Sequence, residues 1–158
     1  MFNAILGCER LRPDAMELPD YPDLQKLHKI QSQHLHGATW EKQVLLDSLS
    51  EARLFEFDSV RWKKELDFIL DINPRKPEFI GAFEVQEGAT NLRLVLKPKE
   101  NVDLKAIDIN YNKADYGSIK AIIHEEKDVF TYHRDIDISF RDGIIDHWKI
   151  SGYQKVLL

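Results

Sequence analysis

The spacing of apolar residues divides the chain into two parts. Between residues 22 and 73 apolar side chains recur three or four positions apart, which places them on one side of an α-helix. After Pro77 they alternate with polar residues, the period of a strand that buries one face. The pattern predicts helices in the first part of the chain and an antiparallel sheet in the second.

Three helices are predicted. The first spans residues 22–36, with Asp20 as its N-cap and Gly37 just beyond its end. The second is capped by Thr39, carries one apolar stripe and ends near Glu51. We expect the first two helices to form a helical hairpin.

The third predicted helix follows Asp58 or Ser59 and stops at Asn73-Pro74. Its apolar side chains share one face and are Trp62, Leu66, Ile69 and Leu70. Residues 53–57, just before it, fit either a strand or a continuation of the second helix, because periodicity does not separate the two in so short a segment.

The second part of the chain predicts six strands, at residues 79–85, 92–96, 104–111, 118–124, 129–140 and 144–151. The fold class is therefore α+β, with about three N-terminal helices packed on one face of a curved antiparallel sheet of about six strands, like a cone or roll. We expect residues 1–158 to form a single domain. Residues 1–20 are predicted to be an extended arm, 21–73 mainly helical and 78–152 the sheet.

The loop between the last two strands sets their register. A two-residue turn at Asp142 and Gly143 pairs Phe140 with Ile145 and scatters apolar residues over both faces. A three-residue loop, with Gly143 left-handed, pairs Phe140 with Ile144 and gathers the apolar residues on one face. Because a slip of one residue turns every side chain to the other face, burial favours the second register.

In the favoured register Asp146 is the one polar residue on the apolar face, opposite Ile138. Burial raises the pKa of a carboxyl group, as a general acid or base requires. Asp146 is therefore the candidate catalytic residue of a pocket between helices and sheet, with walls from Trp62, Tyr132 and Trp148. General burial statistics favour the other interpretation, in which Asp146 is solvent-exposed where the hairpin extends beyond the helices.

The same register makes the other face of the hairpin polar. Asp137 lies opposite His147 and Asp135 opposite Lys149, and His133 joins them. We interpret this set as a solvated face available for binding, because antiparallel sheets commonly leave one face in water.

Metal-binding patterns are weak. His28, His34 and His36 have poor ligand spacing on a helix. Asp108 with Glu125-Glu126-Lys127 is similar in order to the Asp and Glu-x-Lys pattern of metal-dependent nucleases, but its middle residue is charged. We expect no metal and no cofactor.

Charge, cysteine content and the length of the apolar runs limit the partners and the cellular location that we expect. The formal net charge of −5 and a pI near 5.7 disfavour nucleic acid as the main partner. Cys8 is the one cysteine, so an intramolecular disulfide is impossible and a cytoplasmic location is expected. Apolar runs are too short for a membrane span.

These features predict a non-enzymatic acidic binding protein that recognises another macromolecule with a basic surface, possible roles being inhibitor or immunity protein. The candidate binding residues are Glu125, Glu126, His133, Asp135, Asp137, His147, Trp148, Trp62 and Tyr132. The alternative is a small-molecule-binding or proton-transfer enzyme that uses Asp146. A homodimer through the sheet face or a strand edge is a further possibility.

Overall fold

The computed structural model describes residues 21–112 and 115–156, and the predicted arm at residues 1–20 lies outside these ranges. Its helices are α1 (Leu24–His34), α2 (Ser59–Glu65) and α3 (Phe68–Asp71), with a 3₁₀ turn at Pro77–Phe79. Its strands are β1 (Thr39–Leu46), β2 (Leu49–Glu56), β3 (Phe83–Glu87), β4 (Asn91–Leu96), β5 (Leu104–Asn112), β6 (Asp115–Glu126), β7 (Phe130–Arg141) and β8 (Ile144–Val156).

The first predicted helix is confirmed as α1. Its N-cap is Asp23, whose carboxylate accepts a hydrogen bond from Lys26 N at 2.9 Å. The predicted cap, Asp20, lies outside the described residues. Gly37 follows the helix with a φ of +73°, a left-handed conformation that glycine adopts without strain.

The second predicted helix is wrong. Residues 39–56 form an antiparallel hairpin of β1 and β2, and the ambiguous segment 53–57 falls largely within β2. A helix would have placed Asp47-Ser48 in its interior, where both residues compete with helical hydrogen bonds. Asp47 instead has a φ of +52° and turns the chain between Leu46 and Leu49. No helical hairpin forms with α1.

The third predicted helix is present but interrupted. Asp58 caps α2 by accepting from Arg61 N at 2.8 Å, as expected. The helix stops at Leu66 and restarts as α3. At the break, Asp67 lies 3.1 Å from the His28 ring of α1, which ties the helices together.

The six predicted strands of the second part are confirmed as one antiparallel sheet in the order β3-β4-β5-β6-β7-β8. The first strand begins later than predicted, because Phe79 belongs to the 3₁₀ turn and Gly81 has a φ of +77°. The helices pack on one face of this sheet, and the core between them is formed by fully buried residues that include Leu24, Trp62, Leu66, Ile69, Leu94, Ile107, Ile119 and Ile138.

The favoured register of the last hairpin is wrong at the turn. Asp142 and Gly143, with φ of 53° and 76°, form a two-residue turn, and Phe140 pairs with Ile145. A register shift follows between Ser139 and Phe140, where β8 carries one extra residue, Asp146. This β-bulge changes the phase of the strand.

The bulge explains how the apolar residues still share a face. Ile145 is buried before the shift, and Trp148 lies opposite the buried Ile138 after it. Asp137 consequently faces Lys149 and not His147, and Asp135 faces Ser151 and not Lys149. Both predicted cross-strand pairs are therefore wrong by two positions on β8.

Among the described helices, none is both long and apolar enough to cross a membrane.

Candidate binding face

The six-stranded sheet has a second side, opposite the helices, which we call the open face. Strand alternation sends every second side chain of β4 to β8 to this side, and these side chains are exposed or half-buried. The register of the five strands arranges them in rows that run across the sheet.

The central row alternates in charge. Neighbouring strands pair Arg93 with Asp108, Asp108 with Lys120, Lys120 with Asp137 and Asp137 with Lys149. We call these five residues the charge ladder. Lys120 Nζ lies 3.4 Å from Asp137 Oδ2, with both side chains at least half exposed. Opposite charges at directly paired positions stabilise a sheet by about 0.2–1 kcal/mol each.

Different chemistry flanks the charge ladder on either side. One neighbouring row is partly apolar, with Val95, Ala106 and Ile122 followed by Asp135. The row on the other side carries amides, hydroxyls and an imidazole, from Asn91, Asn110, Ser118, Ser139 and His147. A groove of ≈ 400 Å³ runs over the charge ladder and the partly apolar row.

An aromatic row crosses β6 to β8 beyond Asp135. The rings of His124 and His133 lie 5.6 Å apart, and His133 stacks on Tyr153 at 5.5 Å. The His133 ring also contacts the Asp135 carboxylate at 3.1 Å. The open face thus combines charge, apolar surface and aromatic surface within a few strands.

The predicted binding residues divide between the two sides of the sheet. His133, Asp135, Asp137 and His147 share the open face, as the alternation predicted. Trp62 is buried on the helix side, and Tyr132 and Trp148 lie half-buried on that side. The predicted residues are therefore not one contiguous site.

The four predicted acidic residues already have partners within the chain. Each carboxylate lies close to a cationic or imidazole side chain, in the pairs Glu125–Lys127 at 2.8 Å, Glu126–His124 at 3.3 Å, Asp135–His133 at 3.1 Å and Asp137–Lys120 at 3.4 Å. The hydrogen bond that Lys127 donates to the Glu125 carboxylate raises the pKa of Lys127. The open face is therefore patterned in charge and not uniformly acidic.

The nuclease-like pattern is not brought together. Asp108 belongs to the charge ladder beside Lys120, whereas Glu125, Glu126 and Lys127 line a separate hollow of ≈ 320 Å³. Glu126 lies six positions along β6 from Lys120, about 20 Å at the rise of a strand. Over the described ranges, no group of three or more His, Cys, Asp or Glu residues is placed to hold a metal ion.

Asp146 is not buried on the apolar face, and the solvent-exposed interpretation describes its position. The bulge turns its side chain away from the core, leaves it 40% exposed and brings it 3.2 Å from Arg141 Nη2. The space between helices and sheet is filled by buried side chains such as Trp62, Ile69 and Ile72. The geometry therefore does not support a pocket with Asp146 projecting into it.

An aromatic cluster closes the sheet beside the β1–β2 hairpin. Trp148 lies 4.7 Å from Trp40 and 6.1 Å from both Trp62 and Phe68. Trp62 is 1% exposed, and its Nε1 has no hydrogen-bond partner among the residues that the structure describes. The rings of Trp40, Phe57 and Trp148 stand nearly perpendicular to the Trp62 ring, an arrangement that aromatic pairs prefer.

His28 connects α1 to the segment that contains α2 and α3. Its Nε2 lies 2.9 Å from Lys63 O and 3.1 Å from Asp67 Oδ1. His34 and His36 are exposed, one at the end of α1 and one in the loop after it. The three predicted candidate ligands do not share one face.

Sequence reasoning missed two of the three cations of the charge ladder, Arg93 and Lys120, and placed the third, Lys149, opposite Asp135 and not Asp137. Arg93, Lys120 and Lys149 lie on three different strands, and each is an ordinary outward-facing residue on its own strand. Each of the five predicted strands carries one charge of the charge ladder at an interior position. Their alternation becomes visible once the register of five strands is known.

Comparison of the chain with protein-family models, with curated proteins and with solved structures gave no match.

Proposed function

We propose that this is a non-enzymatic binding protein that recognises another macromolecule through the open face of its six-stranded sheet. The observation that carries the proposal is the charge ladder, five alternating charges in register across β4 to β8. Alternating charges give specificity, because a partner must present the opposite order to avoid like charges.

The surroundings of the charge ladder support recognition of a macromolecule. The groove of ≈ 400 Å³ is open and extends over three or more strands, so it matches an extended segment of a partner better than an enclosed small molecule. Ile122, 41% exposed, and Tyr153, 55% exposed, supply apolar and aromatic surface next to it. Interfaces commonly combine such anchors with a polar rim.

The partner is expected to carry basic side chains. Asp135 and Asp137 are half exposed and could exchange their present contacts with His133 and Lys120 for cations on a partner. The net charge of −5 would speed the encounter with a basic protein, as in an inhibitor or immunity-type role. Lys120 and Lys149 would in turn meet acidic groups between those cations.

Capture from an extract of the source organism tests the proposal. The full chain is compared with the double variant Asp135→Asn/Asp137→Asn and with a matched control, Glu41→Gln/Glu56→Gln, on the β1–β2 hairpin. A partner retained by wild type and control but lost from the open-face variant is expected, and its association rate with the purified protein should fall as salt is added. Equal capture by all three proteins, or an association rate indifferent to salt, would count against recognition by the open face.

A further inference from the structure

The β1–β2 hairpin projects from the body of the protein with apolar residues in water. At its base, Trp40 packs on Trp62 and Trp148, and Lys42 pairs with Glu65 of α2 at 2.9 Å. Its other apolar side chains are 50–73% exposed, at Val44, Leu45, Leu46 and Leu49 towards the tip and at Leu54 near the base. Exposed apolar surface of this extent on one element marks a binding surface.

The hairpin also offers an unpaired strand edge. β1 and β2 form a two-stranded sheet, and within the described residues β2 has no second strand beside it. Its pairing with β1 runs over eight consecutive positions without a register shift, so its other edge is regular as well. A regular edge with free N–H and C=O groups accepts another strand.

The sequence of β2 is self-complementary about Ala52. If two copies of β2 pair antiparallel with Ala52 at the centre, Glu51 of each lies opposite the partner's Arg53. In the same register Leu49 lies opposite the partner's Phe55. Directly opposite positions of an antiparallel pair point to the same face. In this pairing Glu51 and Leu49 would therefore be side-chain neighbours of the partner's Arg53 and the partner's Phe55.

We propose that β2 pairs with β2 of a second copy about a two-fold axis at Ala52, giving a four-stranded sheet across the dimer. The pairing is independent of the open face and goes beyond the proposed function. Two-fold symmetry gives a closed dimer, because the same surface of each copy is used and each contact is made twice.

This register explains why the tip of the hairpin is apolar. Leu46 pairs with Leu49 within a hairpin, and Trp40 pairs with Phe55. Across the two-fold axis these pairs join into one apolar row of four side chains, from Leu46 and Leu49 to the partner's Phe55 and the partner's Trp40. The exposed tip of each copy thus covers the half-buried aromatic base of the other. An isolated two-stranded ribbon is marginally stable, and the dimer adds two strands to it.

The edge strand β8 suits this role less well. The bulge at Asp146 interrupts its ladder and bends it, and bulges at edges oppose strand addition. Lys149 and Lys155 also place charges along it. Compared with β8, the edge of β2 combines regularity, apolar surface and self-complementary charge.

Disulfide trapping tests the register directly. In a Cys8→Ser background, which removes the one native cysteine, Ala52→Cys lies opposite its own copy at a Cα separation of about 4.5–5.5 Å, within disulfide range. Ser50→Cys is the matched control, because in this register it lies opposite the partner's Leu54. Mild oxidation should give a covalent dimer with Ala52→Cys and far less with Ser50→Cys. Equal trapping of both, or of neither, would overturn the register.

Charge exchange tests the pairing without cysteine. Glu51→Lys and Arg53→Glu each place like charges opposite one another twice in the dimer, so each should raise the dimer dissociation constant by at least about tenfold in sedimentation. The double variant Glu51→Lys/Arg53→Glu restores opposite charges and should restore the dimer. A wild-type chain that sediments as a monomer at all concentrations, or a double variant no better than the single ones, contradicts the proposal. Circular dichroism of each variant establishes that it is folded.

Discussion

Gln31 of α1 holds the turn of the last hairpin by accepting a hydrogen bond from the main chain of Ile145. Its Oε1 accepts from Ile145 N at 2.9 Å, and its Nε2 donates to Gly143 O at 2.7 Å. The Gln31 side chain is 1% exposed, and its partners lie more than 110 residues away along the chain. One amide therefore connects the first helix to the turn between β7 and β8.

Replacing Gln31 should be costly. Gln31→Leu leaves the Ile145 N–H and the Gly143 carbonyl without their partner, at about 1–3 kcal/mol for each buried group. Gln33→Leu, on the exposed side of the same helix, is the control and should cost far less. Urea unfolding of both variants measures the difference. A Gln31→Leu variant as stable as Gln33→Leu would show that this connection does not stabilise the fold.

The bulge at Asp146 leads to a second prediction. The extra residue in β8 should matter for stability, whereas the identity of its side chain should not. Asp146→Ala should change the free energy of unfolding by less than about 1 kcal/mol, because the pair with Arg141 is exposed. Deleting Asp146 should destabilise the protein severely, because it removes the phase change that lets both Ile145 and Trp148 face the helices. Thermal unfolding followed by tryptophan fluorescence compares the two. Tolerance of the deletion would contradict the role given to the bulge.

The raised pKa of Tyr116 predicts that the folded protein loses stability at high pH. Burial, and then the nearby Tyr111 and Asp23, raise the pKa of Tyr116 to about 12, partly offset by Arg75. Because this pKa is above the ordinary value of 10.0, the stabilisation is complete below pH 10 and is lost as the pH rises towards 12. The absorbance of tyrosinate should show a late step that Tyr116→Phe removes and Tyr153→Phe retains. Persistence of that step in Tyr116→Phe would assign it to another tyrosine.

The charge ladder predicts a salt-dependent effect on stability. Lys120→Glu places three acids in a row, with Asp108 and Asp137 on either side, and should cost about 1 kcal/mol or more at low salt. The cost should shrink as salt screens the exposed charges. Lys155→Glu is the control, because Lys155 lies opposite Thr131. Urea unfolding at two salt concentrations should show a larger, salt-sensitive loss for Lys120→Glu, and equal losses would argue against a coupled row.

The parts of the fold that follow from periodicity were predictable. The alternation from Leu92 to Leu96 and from Ile136 to Ile138 correctly predicted which side chains face the core. The β1–β2 hairpin was not predictable, because its apolar residues have spacings that suit a helix as well as a strand. Its side chains make few core contacts beyond Trp40, so burial gave no pattern to detect. Asp47-Ser48 was the one local sign of a turn.

The last hairpin shows a different limit. Unbroken alternation favours the three-residue loop, because only that register gathers the apolar residues on one face, whereas the structure has the two-residue turn. A single extra residue at Asp146 satisfies both the two-residue turn and the burial of Ile138 with Trp148. The position of a bulge depends on the contacts of the strand with the helices, which the alternation does not contain.

The charge ladder depends on the register of five strands, so no one segment of sequence reveals it. Alternation along one predicted strand places the acids Asp135 and Asp137 on its polar face together with His133. Their cationic neighbours Lys120 and Lys149 come from the adjacent strands. The prediction of an acidic face therefore included the acids of this surface but not the alternation of acids with cations.

Hydroxyl-radical footprinting of the protein with its captured partner would test recognition by the open face most directly. Side chains of the open face, such as Ile122 and Tyr153, should become protected in the complex, while Leu45 at the hairpin tip keeps its reactivity. Unchanged reactivity of Ile122 and Tyr153, with protection elsewhere on the molecule, would contradict it.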